Sequence, residues 1–130
     1  MAKTILVVDD DETIRRVLTD KFEGEKFNVL TADNGEVGLS LALAKHPNIV
    51  LLDLVMSRMD GMGMLKALRQ DGWGKEVPVM ILTNVSNGDE VGEALKYNVY
   101  DFLVKTDWSL EDVVERVKMR LKSVVEEDNE

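Results

Sequence analysis

Short apolar runs recur along the chain, and a polar residue follows each of them. Four of these runs occupy residues 5–8, 49–52, 79–82 and 102–104. The residues that follow them are carboxylic acids, a threonine and a lysine, namely Asp9, Asp10, Asp53, Thr83 and Lys105. Runs of this length, rich in valine, isoleucine and leucine, are typical of strands that are buried on both faces of a parallel sheet.

The segments between the runs carry apolar residues at helical spacing. In the first segment these residues are Ile14, Val17, Leu18 and Phe22. The second helix, residues 34–45, is apolar almost all round, so its pattern does not select a buried side. The pattern predicts five strands, each followed by a helix, with the strands at residues 4–9, 28–32, 49–53, 77–83 and 101–104. Such an alternation indicates a parallel sheet with helices on both faces, which is a three-layer α/β sandwich.

Capping residues predict the ends of two helices. Ser109 is expected to be the N-cap of the fifth helix, with Asp112 as its reciprocal partner three residues later. Asn98 is expected to end the fourth helix in the left-handed conformation. Gly88 and Gly92 lower the stability of that fourth helix by up to about 1 kcal/mol each. The fourth helix is therefore predicted to be the mobile one.

Length, charge and composition narrow the class of protein. The 130 residues suffice for one domain, which we expect at residues 1–125, followed by an acidic tail at residues 126–130. The net charge of −9 argues against a nucleic-acid-binding surface. The absence of cysteine excludes disulfides and thiolate metal sites. No apolar run is long enough to cross a membrane, so we expect a cytoplasmic protein without membrane contact.

The residues that follow the strands define a candidate site. The carboxyl ends of parallel strands meet at one edge of the sheet, where ligands bind. The sequence therefore predicts one pocket lined by Asp9, Asp10, Asp53, Thr83 and Lys105. Carboxylate oxygens are suitable ligands for a divalent cation. A hydroxyl and an ammonium group beside them suit a phosphoryl group.

Four motifs carry a family resemblance that covers essentially the whole chain. They are residues 5–10, residues 51–53 followed by Met59-Asp60-Gly61, residues 78–83, and residues 101–105. In this order and at this spacing, the motifs resemble the receiver domain of two-component response regulators, in particular the stand-alone type of the chemotaxis regulators. The resemblance implies a flavodoxin-like fold of five βα units, with a parallel sheet in the strand order 2-1-3-4-5.

The resemblance also implies the chemistry of the pocket. Asp53 is the expected phosphoacceptor, taking a phosphoryl group from a histidine kinase, a histidine phosphotransfer protein or a small donor such as acetyl phosphate. Mg²⁺ is the expected cofactor, held by Asp10, Asp53 and the backbone carbonyl of Val55, with Asp9 reaching it through water. Such a transfer depends mainly on positioning and charge neutralisation. The protein is then not an enzyme for a separate substrate, although it can catalyse its own phosphorylation and dephosphorylation.

Thr83 and Phe102 form the switch that the resemblance implies. Thr83 and Lys105 would contact the oxygens of a phosphoryl group on Asp53. Thr83 would move inward, and Phe102 would turn into the space that Thr83 leaves, which remodels the surface of the fourth helix, fifth strand and fifth helix. That surface is expected to bind a downstream protein, or a second copy of the chain on activation.

The sequence departs from the family pattern in the loops around the pocket. Thr106 follows Lys105 where receivers usually have proline, and Ser57 stands where proline is also common. A cis bond before a non-proline residue costs about 2.5–4 kcal/mol, so we expect a trans bond after Lys105 and a loop with a path of its own.

Three residues are expected to border the mouth of the pocket. Asn84 follows the switch threonine where a very small residue is usual, and we expect it to narrow the access to Asp53. Val85 and Val55 occupy positions that vary in the family. Both are apolar and offer no polar side chain that could orient a hydrolytic water.

Two other functions fit part of the sequence. Residues 9–13 match the DxDxT motif of haloacid-dehalogenase-like phosphatases, with Asp9 as nucleophile and Asp11 as acid/base, but this reading leaves Asp53 unexplained. Asp11 also fits a simple role as a helix cap. A receiver-like interaction module that is never phosphorylated would keep the fold without the chemistry. His46, the only histidine, is given no function.

Overall fold

Strands and helices alternate along the chain as predicted. The computed structural model describes residues 2–56, 58–83, 88–99, 101–104 and 109–128, with the backbone alone for residues 83, 88–90 and 123–128. Within these residues the strands are β1 (Thr4–Val8), β2 (Asn28–Ala32), β3 (Ile49–Asp53), β4 (Val79–Thr83) and β5 (Asp101–Val104). The helices are α1 (Glu12–Gly24), α2 (Gly35–Lys45), α3 (Gly61–Gln70), α4 (Gly88–Leu95) and α5 (Leu110–Asp128).

The strands form one parallel sheet in the order β2-β1-β3-β4-β5, which confirms the predicted topology. The strand order reverses at β1, which pairs with β2 on one side and with β3 on the other. Ligands of open parallel sheets bind at such a switch point, outside the carboxyl ends of the strands. In the register of the sheet, Val8 lies beside Leu52, so β1 and β3 end next to each other.

Two apolar cores cover the two faces of the sheet. Side chains alternate along a strand, so Leu6 and Val8 of β1 belong to one core, while Ile5 and Val7 belong to the other. Helices α2, α3 and α4 complete the first core, and α1 and α5 complete the second. Every residue of β3 is buried, as predicted for the central strand. Each buried aliphatic side chain contributes about 1.5–3 kcal/mol, so the sheet is a rigid support for the residues at its edge.

The buried side of α2, which the sequence pattern did not select, is made by its smallest residues. Gly35, Gly38 and Ala42 are buried, whereas Val37 is 40% exposed. A Cβ atom at Gly38 would lie 2.9 Å from a methyl group of Val8 on the sheet. Helix α2 therefore packs too close to the sheet for larger side chains on this side.

The predicted helix ends are confirmed. Ser109 Oγ accepts a hydrogen bond from the N–H of Asp112 at 3.1 Å, and Asp112 Oδ2 accepts one from the N–H of Ser109 at 3.3 Å. This pair is the reciprocal cap predicted at the start of α5. Asn98, three residues after the last residue of α4, has a φ of 60°, which is the predicted left-handed conformation.

Strand β4 starts later than predicted. It begins at Val79 rather than at Val77. Pro78 has no N–H to donate to a neighbouring strand. The carbonyl oxygen of Val77 instead accepts a hydrogen bond from Arg69 Nη1 at 2.8 Å.

Strand β1 ends one residue earlier than predicted, and helix α5 runs into the segment that was predicted as an acidic tail. Strand β1 ends at Val8, although the N–H of Asp9 still donates to the carbonyl oxygen of Ala32 at 3.1 Å. Helix α5 extends to Asp128, so residues 126–128 of the predicted tail are helical. Neither α5 nor any other helix in the described part of the chain is long and apolar enough to span a membrane.

Candidate functional site

Asp9 and Asp10 follow β1 at the carboxyl edge of the sheet. Asp9 is fully buried and Asp10 is exposed. Asp9 Oδ1 accepts a hydrogen bond from the N–H of Asp11 at 2.9 Å, and the carbonyl oxygen of Asp9 accepts one from Arg15 Nη1 at 2.8 Å. These contacts fix the turn from β1 into α1, so the position of the Asp9 carboxylate is set by the fold itself.

Asp11 is the N-cap of α1. Its Oδ1 accepts hydrogen bonds from the N–H groups of Thr13 at 2.9 Å and Ile14 at 3.3 Å. A cap of this kind stabilises a helix by about 1 kcal/mol. The structure therefore confirms the capping role of Asp11. It also counts against the phosphatase alternative, which needs this carboxylate as an acid/base.

Asp53 is the last residue of β3 and is 5% exposed. Its Oδ1 accepts a hydrogen bond from the N–H of Val55 at 3.3 Å. Gly61, the first residue of α3, donates its N–H to the carbonyl oxygen of Leu54 at 3.0 Å. A Cβ atom at Gly61 would lie 2.1 Å from the carbonyl oxygen of Asp53. Because glycine has no Cβ, α3 can begin directly against the backbone of Asp53 and hold it in place.

The loop between β3 and α3 is tied to the start of α2. The N–H of Gly35 donates to the carbonyl oxygen of Met59 at 2.8 Å, and a Cβ atom at Gly35 would lie 2.2 Å from the same oxygen. Beside this contact, Arg58 has a φ of 53° and forms an ion pair with Glu36 at 2.8 Å. Both side chains of the ion pair are exposed, so it contributes at most about 1 kcal/mol. The backbone hydrogen bond of Gly35 is therefore the main contact that holds this loop against the start of α2.

Asp9, Asp10 and Asp53 form one cluster, as predicted. One carboxylate oxygen from each residue lies within 4.8 Å of the other two. Three oxygen donors of negative charge suit a hard divalent cation such as Mg²⁺ or Ca²⁺, and a cation would relieve the repulsion among them. Val55, whose carbonyl is the fourth predicted ligand, follows Asp53 by two residues and has a side chain that is 60% exposed.

The remaining predicted site residues belong to β4, to β5 and to the segments that follow these strands in the sequence. Thr83 ends β4 beside Val104 of β5, but its side chain is outside the described atoms. Phe102 is partly buried and packs against the core that includes α4. The predictions for Ser57, Asn84, Val85, Lys105 and Thr106 stay predictions, because these residues lie outside the described part of the chain.

Sequence reasoning missed Arg69, a residue of α3 that joins separate segments of the chain. Its guanidinium donates hydrogen bonds to four carbonyl oxygens, those of Gly74 at 2.6 Å, Tyr97 at 2.7 Å, Val77 at 2.8 Å and Asn98 at 3.3 Å. Burial lowers the pKa of Arg69, and the charge of Glu76 opposes that shift. The available sequence signal was its position one turn after Leu65, on the apolar side of the helix.

His46 has a structural role that the sequence did not indicate. It ends α2 with a φ of 48°, and its N–H donates to the carbonyl oxygen of Ala42 at 3.0 Å. Its ring stacks on Trp73, with ring centroids 4.2 Å apart and an interplanar angle of 9°. This contact joins the end of α2 to the segment between α3 and β4.

Comparisons with known proteins identify relatives of this chain. The family model of the response regulator receiver domain matches residues 5–118. The chain is 36% identical over 124 residues to the transcriptional regulatory protein SrrA of Staphylococcus aureus, and 34% identical over 120 residues to the probable transcriptional regulator ycf27 of Porphyridium aerugineum. These matches cover 94% and 92% of this chain but 49% and 48% of the relatives. The chain thus spans about half the length of the curated relatives it matches.

Solved structures agree with the family match. A putative response regulator from Chloroflexus aurantiacus J-10-fl has a TM-score of 0.85 and 27% identity, with 94% of this chain and 99% of that chain covered. A CheY-like receiver domain protein from Methanospirillum hungatei JF-1 has a TM-score of 0.90 at 23% identity, with 98% and 99% covered, and shows the fold alone. With the sheet topology and the carboxylate cluster in agreement, the chain belongs to the family of response regulator receiver domains, which serve two-component regulation.

Proposed function

We propose that this receiver domain accepts a phosphoryl group on Asp53 from the phosphohistidine of a histidine kinase or of a histidine phosphotransfer protein. The cluster of Asp9, Asp10 and Asp53 is the observation that carries the proposal. It places the buried carboxylate of Asp53 beside two others that can share a cation. Asp53 also ends the middle strand of the sheet, next to the switch point where ligands of this architecture bind.

The transfer makes one bond and breaks one. An oxygen of the Asp53 carboxylate bonds to phosphorus, and the bond from phosphorus to the imidazole nitrogen of the donor breaks. The imidazole leaves with the electron pair and takes up a proton. Because a carboxylate is a weak nucleophile, the rate depends on positioning and on neutralisation of charge. Asp9, Asp10, Asp53 and the Val55 carbonyl would hold Mg²⁺, which supplies that neutralisation when it is bound.

Lys105 and Thr83 are assigned to the phosphoryl oxygens on their sequence motifs. The ammonium group of Lys105 would pair with one oxygen, and the hydroxyl of Thr83 would donate to another. The strand order supports this assignment, because β4 lies beside β3 and β5 lies beside β4. The carboxyl ends of β4 and β5 therefore lie at the same edge of the sheet as Asp53. Asn84 and Val85 would border the entrance to the Asp53 carboxylate.

The phosphorylated state would be recognised through the surface formed by α4, β5 and α5. Phe102 of β5 packs against the core to which α4 contributes Ala94, so a change in the packing of Phe102 can reach α4. Leu95, which is 47% exposed, offers an apolar contact on α4. The proposed occupant is a downstream protein or, on activation, a second copy of this chain. The net charge of −9 disfavours direct binding of nucleic acid.

In this proposal the protein is a phosphoacceptor rather than an enzyme that acts on a separate substrate. Its own residues would contribute to its phosphorylation and dephosphorylation, as the family resemblance implies. A cytoplasmic location belongs to the same proposal, because the histidine kinase forms its phosphohistidine with cytoplasmic ATP.

Incubation with acetyl phosphate and magnesium tests the proposal. Intact-mass spectrometry should show one added phosphoryl group, which disappears in Asp53→Asn and when EDTA removes the magnesium. Asp60→Asn is the matched control, because Asp60 accepts a hydrogen bond from the N–H of Gly63 at 2.8 Å as the cap of α3, and asparagine caps equally well. This control should be phosphorylated normally. A folded protein without any adduct would favour the interaction module that is never phosphorylated.

A further inference from the structure

The C-terminal end of α4 is anchored by Arg69. The guanidinium donates to the carbonyl oxygens of Tyr97 at 2.7 Å and Asn98 at 3.3 Å, in the turn between α4 and β5. It also donates to Gly74 at 2.6 Å and Val77 at 2.8 Å, between α3 and β4. Hydrogen bonds from a charged donor are stronger than neutral ones. One side chain therefore fastens the turn after α4 to the segment that leads into β4.

Buried side chains also hold the C-terminal end of α4 in place. Ala94 and Val99 are fully buried on either side of the turn. An ion pair between Lys66 of α3 and Glu93 of α4, at 2.6 Å, also joins the two helices and lowers the pKa of Glu93. Both side chains of this pair are more than 40% exposed, with values of 43% and 42%, so the pair adds little. Arg69 and the buried residues are therefore the main anchor.

The preceding turns of α4 contain a glycine that packing does not require. Gly92 is exposed, and a Cβ atom there would meet nothing within 4 Å. Its φ is not positive, so the backbone does not require glycine either. Gly35 and Gly61 are different, because a Cβ atom at either position would collide with a carbonyl oxygen. Gly92 therefore makes α4 less stable than an alanine would, without a steric reason.

We propose that Arg69 makes the turn between α4 and β5 a fixed pivot, and that the part of α4 before this turn opens more easily because it contains Gly92, the fifth of the eight helical residues. Arg69 is a positioning residue, because it contacts none of the three clustered carboxylates. The proposal rests on the proposed function in one respect: phosphorylation of Asp53 is the event that selects the rearranged state. The uneven stability of α4 is a property of the free protein and needs no phosphoryl group.

Amide hydrogen exchange, measured residue by residue by NMR in the free protein, tests the pivot. The N–H groups of Lys96 and Tyr97 donate at 3.0 Å and 2.9 Å to the carbonyl oxygens of Glu93 and Ala94. We expect slower exchange at Lys96 and Tyr97 than at Glu93. Gly92→Ala should slow exchange at Glu93 by up to about fivefold and leave Lys96 and Tyr97 unchanged.

Gly24→Ala is the matched control for this substitution. Gly24 also lies in a helix, and a Cβ atom there also meets nothing within 4 Å, but the helix is α1. Gly24→Ala should therefore leave amide exchange in α4 unchanged. Equal exchange along α4 in the wild type, or no effect of Gly92→Ala beyond that of Gly24→Ala, would overturn the proposal. Neither outcome bears on the phosphorylation of Asp53, so failure of the pivot and failure of the proposed function are distinguishable.

Substitution of Arg69 tests the anchor itself. Arg69→Met keeps an apolar stem and removes all the donors, so exchange at Lys96 and Tyr97 should rise by about tenfold or more relative to the amides of α2. Arg69→Lys should give a smaller rise, because it keeps the charge. If Arg69→Met raised exchange equally in α2 and α4, the substitution would have lowered the stability of the whole domain. That result would contradict a pivot. If Arg69→Met fails to fold, Arg69→Lys and Gly92→Ala still decide the question.

Discussion

Asp10→Asn should stabilise this protein when no divalent cation is present. The carboxylate oxygens of Asp9, Asp10 and Asp53 lie within 4.8 Å of one another. At 4.8 Å two unit charges repel by about 3.5 kcal/mol at an effective dielectric constant of 20, and by about 0.9 kcal/mol in water. Because Asp10 is exposed, the lower value is the better guide. Removing its two repulsions should therefore raise the free energy of unfolding by about 1–2 kcal/mol.

Thermal unfolding, followed by circular dichroism in EDTA and then in magnesium, measures this effect. For a domain of this size, about 1–2 kcal/mol corresponds to a rise in Tm of roughly 3–8 °C in EDTA. Magnesium at a hundred times its Kd should stabilise the wild type by about 2.7 kcal/mol, because the cation binds the folded cluster and not the unfolded chain. Asp10→Asn should lose most of that gain. The wild type and the variant are thus expected to exchange their order of stability as magnesium is added.

Asp11→Asn is the matched control, because it removes the same charge one residue away. The Asp11 carboxylate caps α1, and asparagine is an equally good cap. This variant should resemble the wild type both in EDTA and in the size of its response to magnesium. If Asp10→Asn did not raise the Tm in EDTA, or if magnesium stabilised it as much as the wild type, the three carboxylates would not share a cation site.

Three further substitutions probe the surroundings of the site and the frame that supports it. Gly61→Ala should destabilise the protein by about 1–3 kcal/mol and slow phosphorylation by acetyl phosphate, because its Cβ would lie 2.1 Å from the carbonyl oxygen of Asp53. Gly63→Ala, with its nearest contacts at 3.3 Å, is the control and should be mild in both assays. Ser109→Ala should lower the free energy of urea unfolding by about 1 kcal/mol through the lost cap of α5. Asn84→Ala should speed phosphorylation by acetyl phosphate by opening the path to Asp53, and an unchanged or slower rate would contradict the gating role of Asn84.

The topology and the carboxylate cluster follow from the sequence because both depend on local pattern. Unbroken apolar runs such as residues 49–52 indicate strands buried on both faces, and a parallel sheet brings the residues after such strands to one edge. Asp9, Asp10 and Asp53 could therefore be placed together without knowledge of a single tertiary contact. The cap at Ser109 was predictable for the same reason, because its partner Asp112 lies three residues away, and the left-handed conformation of Asn98 follows from its residue type.

The features that sequence reasoning missed depend on close approach between distant segments. Helix α2 buries Gly38 fully and its leucines Leu39 and Leu41 only in part, because the distance between helix and sheet leaves no room for a larger side chain at Gly38. Hydrophobicity does not report that distance. The carbonyl oxygens bound by Arg69 belong to segments up to 29 residues away along the chain. Backbone acceptors have no signature in the sequence, so the partners of a half-buried arginine of this kind are identified only once the chain is folded.

Asp53 as the phosphoacceptor is tested most directly by borohydride trapping after incubation with acetyl phosphate and magnesium. Borohydride reduces an acyl phosphate to an alcohol, and peptide mass spectrometry then identifies the modified residue. We predict that position 53 is converted to homoserine in the wild type and that no residue is modified in Asp53→Asn. Modification at Asp9 would contradict this assignment and would favour phosphatase chemistry instead. A phosphorylated protein without a reducible acyl phosphate at Asp53 would contradict it equally.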